Sequence, residues 1–223
     1  MDNYRPICSF IKFGARNNME DMVSNGTLFM NTLKYFQANQ QEDKPMRFDK
    51  YEGVDEIYNT GFLGFSSGDD DKNISFPIFT EPVQFTYKKN YFINLYCLYA
   101  VGEIDGKMNV DSKCFQFGDT AVIIYNLKEF YRRIENAFEL NSLRRRHGFV
   151  TYIDEETYNG RYDIFKKFKK YSYQQEYRFV LYQKTDSPYI LRIGNMSDIA
   201  EIVNPSEINK TEYKINKIYE KIN

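Results

Sequence analysis

Tryptophan is absent from this 223-residue chain, and histidine occurs once, as His147. With one imidazole, Ser-His-Asp hydrolysis, Cys-His catalysis and His-rich metal sites all rest on His147 or fail. Cysteine is scarce and odd in number: Cys8, Cys97 and Cys114 lie far apart with no CxxC spacing. That argues against a disulfide scaffold or a structural zinc site and suits a reducing cytosol. Charge of one sign is also lacking. Lys and Arg number 30 against 31 Asp and Glu, a formal charge of -1, so nothing in the bulk charge draws the chain to nucleic acid or membrane, and only local patches remain. Glycine-rich phosphate loops of the Gly-x-Gly-x-x-Gly or Gly-Lys-Ser/Thr type do not occur. No apolar run reaches membrane-spanning length, and residues 1–6 lack the basic-then-apolar pattern of a signal peptide. The expectation is a cytoplasmic protein that does not engage a membrane and holds no metal.

Aromatics are what the chain has in plenty, 20 tyrosines and 19 phenylalanines. They favour strands, because their rings fit a pleated, half-buried surface, and ordinary core packing accounts for most of them. The length allows one domain over 1–223 with a sizeable core. Alternation predicts a first strand over 7–13, and Met19, Met22 and Val23 at helical spacing predict a helix over 15–24, stopped by Asn25-Gly26. A strand over 27–30, a short helix over 32–40 and an exposed polar loop over 41–56 follow. Residues 66–73 form a turn cluster whose Asp69 to Asp71 lack EF-hand spacing and read as a solvated acidic turn. The apolar run 91–101 predicts a central strand, and 120–125 another. Phe130, Ile134, Ala137 and Phe138 give 127–143 one apolar helical face. Strands over 148–153, 177–182, 189–193 and 199–203 complete the reading, with 157–170 charged and irregular or helical. The class is α+β, one domain, with a mixed or mostly antiparallel sheet.

The stretch Gln174-Gln175-Glu176-Tyr177-Arg178-Phe179 places a carboxylate in a run otherwise built for a strand. Burying an unpaired charge costs several kcal/mol, so Glu176 must be hydrated, paired or used. Strand alternation puts Gln174, Glu176 and Arg178 on one face and Tyr177, Phe179 and Leu181 on the other. Either Glu176 is presented at the rim of a cleft, or it forms a solvated pair with Arg178 or a lysine. Glu52 reads as an acid of the exposed loop that can assist at the site or simply be solvated. Cys97 reads as core.

Phe10-Ile11-Lys12-Phe13, a helix with apolar pairs, Asn25-Gly26-Thr27-Leu28 and the late Gln174-x-Glu176-aromatic strand together resemble ADP-ribosyltransferases. The closest likeness is to bacterial toxins that modify thymidine in single-stranded DNA. The run from Tyr91 to Ala100 is similar to their central strand. The chain also resembles a large bacterial family of uncharacterised proteins with a Gly-x-Leu opening, an Asp-x-x-Glu-Gly loop and a late Glu-x-Arg. The likeness implies a single domain folded around a cleft of the ADP-ribosyltransferase type, with NAD as substrate. In that reading Glu176 stabilises an oxocarbenium-like transition state, as a carboxylate does in glycoside chemistry, and Gln174 orients the acceptor. It implies that Lys12 and Phe13 contact the dinucleotide and that Tyr96 or Tyr99 stacks on nicotinamide. Lys12 stands where that family usually has His or Arg, and the Ser-Thr-Ser strand of arginine-modifying relatives is missing. The implied role is a toxin or phage-defence effector, with a DNA or RNA acceptor and an antitoxin protein as partner. The alternative is a non-catalytic nucleotide- or nucleic-acid-binding module of the same fold.

Two basic runs remain. Lys166-Lys167-Phe168-Lys169-Lys170 interleaves charge with an aromatic and adjoins the Glu176 strand, so Lys166, Lys167, Lys169 and Lys170 are candidate contacts for a nucleic-acid substrate. Arg144 to Arg146 reads either as a complement to a helix C-terminus or as a polyanion contact. His147 reads as a surface or capping residue.

Overall fold

The structure, a computed structural model, describes residues 7–38, 49–59, 82–102 and 109–210; the 66–73 turn and the first part of the expected 41–56 loop lie outside them. The chain opens with strand β1 (Ile7–Gly14), helix α1 (Arg16–Asn25), strand β2 (Thr27–Thr32) and helix α2 (Leu33–Ala38). Short strands β3 (Glu56–Tyr58) and β4 (Val83–Phe85) precede the long β5 (Phe92–Gly102). Then come β6 (Thr120–Ile124), α3 (Leu127–Leu140), β7 (Arg144–Phe149), β8 (Thr151–Ile153), β9 (Gly160–Arg161) and β10 (Lys166–Phe168). The last strands are β11 (Glu176–Gln183), β12 (Tyr189–Arg192) and β13 (Ala200–Val203). The class is α+β, and the sheet pairs are antiparallel apart from β8 with β10.

The main sheet is organised by β5. One of its edges pairs with β11 along Phe92–Tyr99. The other edge is shared: Asn94 and Leu95 pair with β2, and Tyr99 to Gly102 pair with β1. Among the described residues, 96–98 have no strand partner on that edge, so the sheet forks into an arm of β2 and β12 and an arm of β1, β6 and β13. Helix α1 joins the arms. Its apolar stripe buries Met19 and Met22 across the fork, and Gly26 ends it in the left-handed conformation, at φ 64°.

Alternation divides the core between the two faces of this sheet. Phe10, Leu28, Met30, Tyr96, Leu98, Tyr177, Phe179 and Leu181 pack under α1 and α3, whose buried Phe130, Ile134, Ala137 and Phe138 are the face expected from sequence. Asn126 caps α3, accepting from the Glu129 N–H. On the opposite face two separate apolar clusters form, one around Ile11, Phe13, Tyr99 and Val101 and one around Ile93, Leu95, Ile164 and Val180. Between them run Glu176 and Arg178, opposite Tyr99 and Cys97 of β5.

Three expectations change. From sequence the helix ends at 143 and the next strand begins at 148, whereas Arg144 to Phe149 all form a strand on the outer side of β11. The strand expected over 148–153 is split between β7 and β8, and the 157–170 region supplies β9 and β10. Gln174 is not on the Glu176 strand. It ends a short helical segment, Lys169–Gln174, and Gln175 at φ 38°, ψ 50° turns the chain into β11.

The Gly26 turn is a place where no side chain fits. A Cβ there would lie 2.0 Å from the Gly194 carbonyl oxygen, and the positive φ adds strain. Gly26→Ala should therefore cost about 2–4 kcal/mol in urea unfolding, whereas Gly148→Ala, with nothing nearer than 3.7 Å, should stay within about 0.5 kcal/mol of wild type.

Candidate functional site: a buried charge network at the fork

Arg178 leaves β11 toward the face between the two clusters, and only 1% of it is exposed. Buried there, a guanidinium must have its donors used. Its Nη1 and Nη2 meet the two oxygens of Glu52 at 2.7 and 2.9 Å, a bidentate pair. Nη1 also donates to the Ile164 carbonyl at 2.5 Å, and Nε donates to Glu176 Oε2 at 2.7 Å. The other Glu176 oxygen accepts from the Lys167 ammonium, which also reaches Gln174 Oε1 at 2.6 Å. The Glu176 backbone N–H donates to the Tyr152 hydroxyl at 2.9 Å.

Two cations and two carboxylates are thus buried together in balance. Burial pushes the Glu176 carboxyl up, but Arg178 and Lys167 more than offset it and hold it down at about 2. Asp49 lies beside them, accepting from the Tyr51 N–H and the Tyr162 hydroxyl. Burial first, and then Glu52, raise its carboxyl above the ordinary value. The Cys97 thiol is pushed up to about 11, by burial and then by Glu176, so it is no thiolate nucleophile near neutral pH.

Glu52, Cys97, Lys167, Gln174, Glu176 and Arg178 form one side of a cleft of about 650 Å³ that opens at the fork, a size usual for small-molecule sites. Lys12 enters from β1, donating at 2.8 Å to the Cys97 carbonyl, where β5 lacks a strand partner, with its ammonium 4.4 Å from the Tyr96 ring centre. Phe29, Tyr35 and Ile190, about half exposed, line the mouth.

All six residues assigned from sequence to catalysis and to NAD line this cleft: Glu176, Gln174, Lys12, Phe13, Tyr96 and Tyr99. Their arrangement differs from the expected one. Gln174 meets Glu176 through the shared Lys167 ammonium, not through strand alternation. Tyr96 and Tyr99 occupy opposite faces of β5, each packed in a core cluster, and Lys12 and Phe13 occupy opposite faces of β1, with Phe13 alone packed in a core cluster. The Glu176–Arg178 pair exists but is buried rather than solvated. Glu52 is buried as well, against the reading of an exposed loop acid, because Tyr51, Val54 and Ile57 anchor its segment in a small apolar cluster with Tyr162 and Phe168.

The basic run divides in the same way. Lys167 is 2% exposed and belongs to the network, so it is not a surface contact for a polyanion. Lys166, Lys169 and Lys170 pair with Asp163, Asp154 and Glu155 at 3.7, 3.4 and 2.7 Å. Asp49, Tyr152 and Tyr162 escaped the sequence reading. The available signal was the apolar punctuation of Asp49-Lys50-Tyr51-Glu52-Gly53-Val54, which marks an anchored segment rather than a solvated one. Among the described residues no group of three His, Cys, Asp or Glu side chains is placed to hold a metal ion, and no helix is long and apolar enough to cross a membrane. No family model, curated protein or solved structure matches the chain.

Removing one partner of a buried ion pair strands the other. Arg178→Met should cost about 3–5 kcal/mol in urea unfolding, and adding Glu52→Gln should recover part of that loss in a double-mutant cycle. The pH dependence has a definite sign. Glu176 titrates lower in the folded chain than its ordinary 4.5, so its contribution is complete above that value and is lost as pH falls toward about 2. Asp49 acts oppositely, since its raised value gives stability that is lost as pH rises through it. Between pH 4.5 and 2 the wild type should lose stability more steeply with falling pH than Glu176→Gln does, read from urea midpoints.

Proposed function

We propose that the cleft binds NAD and that the chain transfers ADP-ribose from it to a nucleic acid, DNA or RNA. The observation that supports this reading is the Glu176 carboxylate, held ionised on the floor of a cleft of dinucleotide size. In such a transfer the bond between ribose and nicotinamide breaks, its electron pair leaves with the nicotinamide, and positive charge develops on the ribose. A fixed negative charge stabilises that state. A carboxyl with a value near 2 is a poor proton donor or acceptor at neutral pH, so it suits this electrostatic role better than acid–base work. The acceptor nucleophile bonds to the ribose carbon and gives its proton to solvent.

Glu176 retains capacity for a substrate hydroxyl. A carboxylate has about four acceptor sites, and Lys167 and Arg178 take one on each oxygen. Gln174, fixed by the same lysine, neighbours that position and would orient the acceptor. Lys12 would meet a diphosphate. Tyr96 is the weaker stacking partner, since Lys12 already covers its ring and a cationic nicotinamide would compete with the ammonium. Tyr99 and Phe13 contribute an apolar wall. A toxin or phage-defence role, with an antitoxin as partner, belongs to the same proposal and rests on the family resemblance alone.

A second reading has its own support. The two cations on Glu176 neutralise much of its charge, which favours a module that binds a nucleotide without transfer. Incubating the protein with NAD and DNA or RNA separates the two. Transfer predicts nicotinamide release that Glu176→Gln lowers by at least about a hundredfold, the scale of losing one electrostatic group, while NAD binding by calorimetry changes little. Binding by both proteins with no nicotinamide release would support the module instead. Lys12→Ala should weaken NAD binding in either case, and Lys12→Arg should preserve it.

A further inference from the structure

We infer that the outer strand β7 is a nucleic-acid contact, with Arg144 and Arg146 gripping successive phosphates of a single strand. Alternation sends Arg145 to the α3 face, where its Nε donates to Glu135 at 2.9 Å. Arg144 and Arg146 take the other face, opposite Tyr182 and Val180 of β11. Both are exposed, and among the described residues neither has a carboxylate within ion-pair distance. The neighbouring lysines, by contrast, are each matched to an acid.

Aromatic rings hold the two guanidiniums instead. The Arg144 guanidinium carbon lies 5.1 Å from the Tyr182 ring centre and 5.7 Å from that of Tyr91, and Arg146 lies 4.9 Å from that of Phe165. A cation–π contact restrains a guanidinium beside the ring but uses none of its five N–H donors. Each side chain is therefore oriented and charged, with donors free for the bidentate geometry that phosphate oxygens accept. Residues two apart on a strand are separated by about 6.6 Å, close to the step between phosphates of an extended strand. Among the described residues β7 pairs only with β11, so its outer edge is open to a partner. The surface lies on the same sheet face as Glu176 and Arg178. The contact itself does not depend on the transferase reading.

Binding of a labelled single-stranded DNA and of an RNA of the same sequence, followed by fluorescence anisotropy over a salt series without NAD, tests the inference. The wild type should bind at low salt. Arg144→Gln/Arg146→Gln should bind roughly tenfold more weakly, with the slope of log affinity against log salt reduced by about 1.4, about 0.7 for each phosphate left without its arginine. Lys169→Gln/Lys170→Gln should bind like wild type, and Arg144→Lys/Arg146→Lys should keep most of the slope, which separates the effect of charge from that of a damaged fold. Unchanged binding by the Arg-to-Gln variant, an equal loss in the lysine variant, or no binding of either polymer by wild type would overturn it. So would equal affinity for polyglutamate, which would assign the surface to an acidic protein.

Discussion

Arg178 is the side chain on which the rest of the molecule depends. A guanidinium buried to this degree is tolerable only when every direction around it holds an acceptor, and here those acceptors come from three parts of the chain. Glu176 sits two residues away on its own strand, Glu52 arrives from the segment before β3, and the Ile164 carbonyl precedes β10. Lys167 then balances the second carboxylate. The register of β11, the docking of residues 49–55 and the path into β10 must all be right together, or a charge is left stranded. Fold and site are in this sense one constraint.

The fork supplies what the network alone lacks, access. By sharing one edge between β1 and β2, the chain leaves residues 96–98 without a strand partner there, and the cleft opens at that gap. Lys12 bonds the Cys97 carbonyl at this point, satisfying a backbone acceptor that pairing would otherwise have used. The outcome is an ionised carboxylate at the bottom of a cleft with apolar walls and a cation at its side.

Much of this was legible in the sequence, for physical reasons that also explain the misses. Strand β5 declares itself by a continuous run of apolar and aromatic residues, and α3 by a stripe whose four buried residues follow from spacing alone. Gln174 was misplaced because Gln175 adopts a left-handed conformation that a glutamine does not advertise. Lys167 was misread because one buried lysine among four looks the same as its solvated neighbours until packing selects it. Arg144 to Arg146 formed a strand without hydrophobic periodicity, since an outer strand can alternate charge with charge. The opposite faces of Tyr96 and Tyr99 were within reach: three residues apart on a strand, two side chains cannot point the same way. The geometry that stayed hidden lies wherever distant segments meet, as Glu52 and Arg178 do across more than a hundred residues.

The most direct measurement is a carboxyl carbon-13 NMR titration of the Glu-labelled protein, with the Glu176 signal assigned by its loss in Glu176→Gln. The signal should remain that of an ionised carboxylate from neutral pH down to about pH 3, and should move when NAD is added at neutral pH. A midpoint near the ordinary 4.5 would contradict the clamped, ionised carboxylate, and a signal indifferent to NAD would remove it from the proposed site.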